Sequence, residues 1–147
     1  MTRLAFDHVG IVVRDADEGT QALAALVGAT HASARFDDPV LTVSVRFLLD
    51  KSGVVFELIA PFGNPSVVDT VLKKGASIIN QVAYRTDDLA AAAKELVAQG
   101  CMPIGEAKPA LAFGGALVQF YLSRLGFIIE LIEAASHQHD FKPISLS

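Results

Sequence analysis

A chain of 147 residues is long enough for one domain with a substantial apolar interior and too short for several. Hydrophobic residues make up 52% and charged residues 19%, which excludes a disordered chain; a net charge of -4 leaves no basic footprint for nucleic acid. A single cysteine, Cys101, excludes an internal disulfide, and there is no signal-peptide pattern and no apolar run near ~18 residues, so the expectation is a soluble, cytoplasmic protein without membrane contact.

The first predicted strand is "FDHVGIVV", Phe6 to Val13, an apolar β-branched run interrupted by His8. A helix is predicted from about Asp17 to Val27, with Asp15 and Glu18 as a capping-box pair and Gly28 as its stop. A second strand is expected over Thr30 to Arg35, and "TVSVRFLLD" and "VVFELIAP" read as a hairpin around "DKSG". "FGNPSVVDTVLKKG" reads as a linker holding a short helix. Further on, a strand is predicted at Ile78 to Arg85 and a helix at about Leu89 to Ala98, followed by Gly100. Strands follow at Met102 to Glu106, Ala116 to Leu122 and Phe127 to Ala134, and "SHQHDFKPISLS" reads as a mobile, solvated tail.

The chain repeats itself. "VRFLLDKSGVVFELIA" and "VQFYLSRLGFIIELIE" align without a gap, pairing Phe47 with Phe120, Gly53 with Gly126 and Glu57 with Glu130. The same register lays "HVGIVVRDA" on "QVAYRTDDL", pairing His8 with Gln81 and Asp15 with Asp88. The predicted architecture is therefore α+β: two tandem βαβββ modules forming one curved mixed sheet around a central cavity. Module one spans about 4–62, the linker 63–76, module two about 77–135 and the tail 136–147, all within one domain.

If a pseudo-twofold axis relates the copies, His8, Gln81, Glu57 and Glu130 form two symmetric pairs that can meet inside the sheet. Each glutamate lies in an apolar run, where an isolated carboxylate must neutralise or find a cation. One nitrogen and three oxygen donors suit a divalent ion, whose charge two carboxylates cancel.

The doubled unit, with "DHVGIVV", "FELIAP", "VAYRTDDLAAAAKELVAQG" and "IIELIE", resembles the vicinal oxygen chelate superfamily of glyoxalase I, methylmalonyl-CoA epimerase, extradiol dioxygenases and metal-free bleomycin-resistance proteins. The stretch "VVFELIAPFGNPSVVDTVLKKG" is most similar to the epimerase branch. The resemblance implies that His8, Glu57, Gln81 and Glu130 hold a divalent metal (Co, Ni, Zn, Mn or Mg) and that the chain is a homodimer. It also implies a metal-assisted isomerase or lyase acting through an enediolate, with Glu130 as general base and Glu57 as its symmetric alternative. The substrate implied is a small molecule, foremost a 2-methyl-branched acyl-CoA. A glyoxalase I-like lyase and a metal-free small-molecule binding protein are the alternatives; extradiol chemistry would need another histidine. The chain departs from the epimerase pattern twice, with Gln81 in place of a histidine and no second carboxylate on "VSVRFLL", where Arg46 is the one charged residue.

The remaining candidates read more simply. Asp15, Asp87 and Asp88 are helix-start residues, and Cys101 is a small buried residue without a basic neighbour to activate it. "AFGG" at 112–115 marks a cavity-edge loop or a tight turn, and Arg46, Arg85 and Lys108 are candidate receivers of a substrate carboxylate or phosphate.

Overall fold

The computed structural model describes residues 2–75 and 78–144. Module one contributes β1 (Ala5–Val12), α1 (Ala16–Val27), β2 (His31–Ala32), β3 (Phe36–Asp38), β4 (Val43–Leu49) and β5 (Val55–Pro61). The short α2 (Asp69–Lys73) leads into β6 (Ile78–Arg85), α3 (Leu89–Ala98), β7 (Met102–Pro109), β8 (Leu117–Leu122) and β9 (Ile128–Ile132), and β10 (Lys142–Pro143) ends the described chain. Both long helices begin as the sequence requires. Asp15 accepts the Glu18 N–H at 2.8 Å, and Asp88 accepts the Ala91 N–H at 3.0 Å.

All ten strands join one sheet in the order β10-β2-β4-β5-β1-β6-β9-β8-β7, with β3 paired to β4. The pseudo-symmetry is visible in the pairing. β1 and β6 run antiparallel at the centre with Val9 opposite Val82, and each is flanked by a parallel strand, β5 beside β1 and β9 beside β6. The two helices cover the outer face at equivalent places: Ala24 of α1 packs with Leu48 and Leu58, while Leu89 and Ala92 of α3 pack with Tyr121 and Leu131. The inner face holds the main core of Val12, Val45, Phe47, Ile59, Val118 and Ile132. Because strands such as β5 are covered on both faces, "FELIA" reads as a continuous apolar run with one acid in it.

Two expectations are corrected. Of the strand expected from Thr30 to Arg35 only His31–Ala32 forms as β2, with β3 starting beyond it at Phe36, because the Ser33 hydroxyl takes a place in the ladder and accepts the Phe47 N–H at 3.0 Å. The tail is not a mobile appendage. Through residue 144 it folds back on the domain: Phe141 packs on the main core and β10 pairs with β2. Within "HQHD" the two histidines turn inward, the His139 side chain being 8% exposed, while Gln138 and Asp140 remain at the surface as expected. No helix among the described residues is long and apolar enough to cross a membrane.

Candidate metal and active site

The central pair of strands gathers the four predicted residues. On one row, Glu57 of β5 pairs with Gly10 of β1, which pairs with Gln81 of β6. On the next, His8 of β1 pairs with Ala83 of β6, which pairs with Glu130 of β9. In each row the residue between the two functional side chains is nearly or wholly without one, so both can lean over the gap. Gly10 and Ala83 are themselves equivalent in the repeat. A Cβ on Gly10 would lie 2.5 Å from Gln81 Cγ and 3.0 Å from Ile59 Cδ1. Gly10→Ala is therefore expected to displace Gln81, and it would weaken any Co²⁺ binding by these four residues about tenfold in a titration.

The four side chains converge and are all buried, His8 at 0% exposure and Glu130 at 3%. His8 Nε2 lies 3.1 Å from Glu57 Oε1 and 3.4 Å from Glu130 Oε1. It is nevertheless aligned with neither oxygen, and it counts as a buried polar atom without a hydrogen-bond partner. The Gln81 amide donates to Glu130 Oε1 at 2.7 Å and to Glu57 Oε1 at 3.4 Å. These atoms fit a divalent ion: an imidazole nitrogen aimed between two carboxylates, beside a carboxamide whose half-turn would present oxygen instead of nitrogen.

Behind this set stands a layer that the strand pattern hides. Ladder irregularities on either side of the centre leave Asp7 of β1 and Asn80 of β6 without pairing partners. The irregularity at Asp7 lets consecutive residues act together, and Asp7 Oδ2 accepts the His8 Nδ1–H at 2.6 Å. Asn80, the equivalent of Asp7 in the repeat, donates to Gln81 Oε1 at 3.4 Å. With its Nδ1 proton held by Asp7, a neutral His8 presents the Nε2 lone pair to the carboxylates, the orientation a metal-binding histidine needs.

Burial penalises charge here, and the net effects differ by residue. Burial works against the His8 imidazolium, but Glu57, Asp7 and Glu130 together hold its pKa well above the ordinary 6.5. Burial pushes Glu130 from 4.5 up to about 7 against the opposing pull of the neighbouring His8 imidazole, with Glu57 adding like-charge repulsion. Burial also acts to raise Asp7, but hydrogen bonds from His139 and His8 outweigh it and leave its pKa far below the usual carboxylate range. Without a metal, protons on His8 and Glu130 stand in for a cation.

Glu57, Gln81 and Glu130 line a cavity of about 260 Å³ that both modules enclose. Its walls are apolar, among them Val43, Val45, Ile59, Phe113, Val118 and Phe120. Of the "AFGG" stretch, Ala112 and Phe113 reach the cavity, and Gly114 and Gly115 adopt φ of 65° and 88°. Glu106 and Lys108 of β7 line it as well, and both are exposed. Asp38 lines it too but is engaged, accepting backbone N–H groups from Val40, Leu41 and Leu111 at 2.9, 3.0 and 2.9 Å. The Leu111 bond ties β3 to the short 3-10 helix at Leu111–Phe113 and the other two shape the turn after β3, so Asp38→Ala is expected to cost about 3 kcal/mol in urea unfolding.

Of the three candidate anion receivers, only Lys108 lines the cavity. Arg46 is bound to Ser33 O and Asp17, and Arg85 to Ala135 O and Asp7. Cys101 is half-buried against the α3 cluster.

The comparisons with known proteins agree with this fold. Residues 7–120 match the family model described as the Glyoxalase/Bleomycin resistance protein/Dioxygenase superfamily. Methylmalonyl-CoA epimerase from Mycobacterium tuberculosis superposes with a TM-score of 0.72 at 27% identity, covering 86% of this chain and 85% of its own. A hypothetical protein from Bacillus halodurans C-125 superposes with a TM-score of 0.77 at 21% identity, covering 93% and 99%. The Streptomyces coelicolor methylmalonyl-CoA epimerase variant in complex with 2-nitronate-propionyl-CoA gives 0.73 at 22% identity, covering 91% and 100%. No curated protein matches the chain. With the duplicated sheet, the buried cluster at its centre and a family match over most of the length, the chain belongs to the glyoxalase/bleomycin resistance/dioxygenase superfamily.

Proposed function

We propose that the protein is a divalent-metal-dependent isomerase or lyase that removes the proton next to a carbonyl, with a methylmalonyl-CoA epimerase-like reaction as the favoured case. The observation that carries this reading is His8 Nε2, buried and unpartnered between two buried carboxylates while Asp7 holds the opposite ring nitrogen. His8, Glu57, Gln81 and Glu130 would hold the ion. When bound, it supplies Lewis-acid polarisation of the substrate carbonyl, which acidifies the neighbouring C–H.

The residues of this chain do the rest. Glu130, a buried carboxylate on the cavity wall, is the general base that takes the proton. The apolar walls exclude water and accept a small branched acyl group, while Lys108 offers a cation to an anionic part of the substrate. No carboxylate of β4 lines the cavity, and Asp38 is occupied by three backbone N–H groups. Epimerisation needs the proton returned to the opposite face, so Glu130 removes it and a second acid of the cavity wall, Glu57 or Glu106, returns it.

A second reading is favoured by Gln81, whose amide already satisfies both carboxylates without an ion. On that reading the same cavity sequesters an apolar small molecule. Metal analysis of protein purified without chelator separates the two, with about one divalent ion per chain expected for the enzyme. Deuterium uptake from solvent into methylmalonyl-CoA then tests the substrate. A metal-loaded protein that shows no exchange would remove the epimerase assignment and direct attention to hemithioacetals, the glyoxalase I-like case.

A further inference from the structure

The segment that closes the chain reaches the site from behind. His139 Nε2 lies 2.8 Å from Asp7 Oδ2, the same oxygen that holds His8 Nδ1 at 2.6 Å. Arg85 Nε approaches the other oxygen of Asp7 at 3.0 Å, but that contact is an ion pair without an aligned hydrogen bond. Arg85 therefore supplies charge, and the directional restraint on the Asp7 carboxylate comes from His139. Its ring is itself fixed, with its centroid 4.2 Å from that of Phe47, 5.7 Å from Phe113 and 5.6 Å from Phe141. On both sides the backbone is anchored, by the His137 N–H to Ala134 O at 3.0 Å and by β10 on β2.

Asp7, His8 and His139 also bring three ligand-type atoms within 4.8 Å of one another. A cation there would face the Arg85 guanidinium across the same carboxylate, so the cluster is a hydrogen-bond network and not a second metal site. What it can do is transmit order.

We infer that His139 is a positioning residue for the metal site: it locks the Asp7 carboxylate, which fixes the His8 ring so that Nε2 faces Glu57 and Glu130. The inference rests on the metal-binding reading for its functional consequence, but its structural core does not. A loose Asp7 would let the His8 ring reorient, and outer partners of this kind are worth about 10–100-fold in metal affinity.

The test compares His139→Phe, which keeps the aromatic packing but has no N–H, with His139→Gln, whose amide can donate to Asp7. Three readouts are taken on the full chain: Co²⁺ affinity with its visible spectrum, the ¹H and ¹⁵N resonances of the His8 Nδ1–H in metal-free protein, and the urea midpoint. His139→Phe is expected to bind Co²⁺ about tenfold more weakly and to lose the slowly exchanging Nδ1–H signal, with its urea midpoint lowered by no more than one lost hydrogen bond accounts for. His139→Gln is expected to restore both. Should His139→Phe not fold, His139→Leu carries the same comparison.

Wild-type Co²⁺ affinity and an unchanged Nδ1–H signal in the variant without a donor would overturn the inference. So would losses in His139→Gln with none in His139→Phe, which would assign His139 to packing alone. If wild-type protein binds no Co²⁺, the metal reading fails separately, and the Nδ1–H signal still decides whether His139 positions Asp7.

Discussion

Glu130→Gln is expected to lower turnover by about 10²–10⁴-fold while leaving the metal-free fold intact. Glutamine matches glutamate in size, so the change removes the charge and the proton-accepting oxygen without opening a cavity. Glu130 is 3% exposed, and burial already pushes its pKa to about 7, so the carboxylate is an electrostatic burden on the metal-free protein at alkaline pH. The variant should therefore be at least as stable as wild type at about pH 8 when no metal is present, although it binds Co²⁺ more weakly. That combination, a protein of equal or greater stability with poor activity and poor metal affinity, separates a functional carboxylate from a structural one. Glu57→Gln provides the symmetric control. If Glu57→Gln abolishes proton exchange and Glu130→Gln does not, the two acids exchange roles. If neither variant alters activity or Co²⁺ affinity, the cluster is not a metal site.

The duplication was readable because the buried positions of both copies are chemically constrained in the same way. Leu58 and Leu131 lie under the two helices at equivalent places, and Glu57 and Glu130 stand out as acids inside otherwise apolar strands. The meeting of His8 with Gln81 followed from the register alone, since alternation along β1 and β6 puts both on the inner face. Asp7 and Asn80 escaped for the complementary reason. Strict alternation assigns them to the face opposite their neighbours, and only the ladder irregularities bring them into play. The repeat does hold a signal for them, because each immediately precedes a predicted ligand in its copy.

The tail was misread through its polarity. "HQHDF" places His137, His139 and Phe141 at alternate positions, and these rings, not a long apolar run, supply its packing against Phe47 and Phe113. Pro143 lies in a strand that pairs only at the sheet edge, where its missing N–H costs little. Ser33 shows the same limit on a smaller scale. A β-like run such as Thr30 to Arg35 carries no mark of a side-chain hydroxyl replacing a backbone partner.

Adding Co²⁺ to metal-free protein at about 100-fold over its dissociation constant should raise stability by about 2.7 kcal/mol, roughly 5–10 °C in thermal midpoint for a domain of this size. That shift should depend on pH, and its sign follows from the two buried groups. Folding raises Glu130 from 4.5 to about 7 and His8 well above 6.5, so the folded, metal-free protein holds protons that the unfolded chain releases earlier. Their contribution is complete below 4.5 for Glu130 and below 6.5 for His8, and it fades as pH rises through about 7 and beyond. The ion requires the opposite state, with both protons gone, so its binding releases protons and tightens over the same range. At a fixed Co²⁺ concentration the thermal shift should be smaller near pH 6 than near pH 8 and should grow as pH rises. Asp7 does not interfere, because its depressed pKa places its contribution above 3.8 and its loss in acid. A shift of constant size across this range would mean that the ion binds elsewhere, since no other buried pair in the described chain couples a raised carboxyl to a raised imidazole.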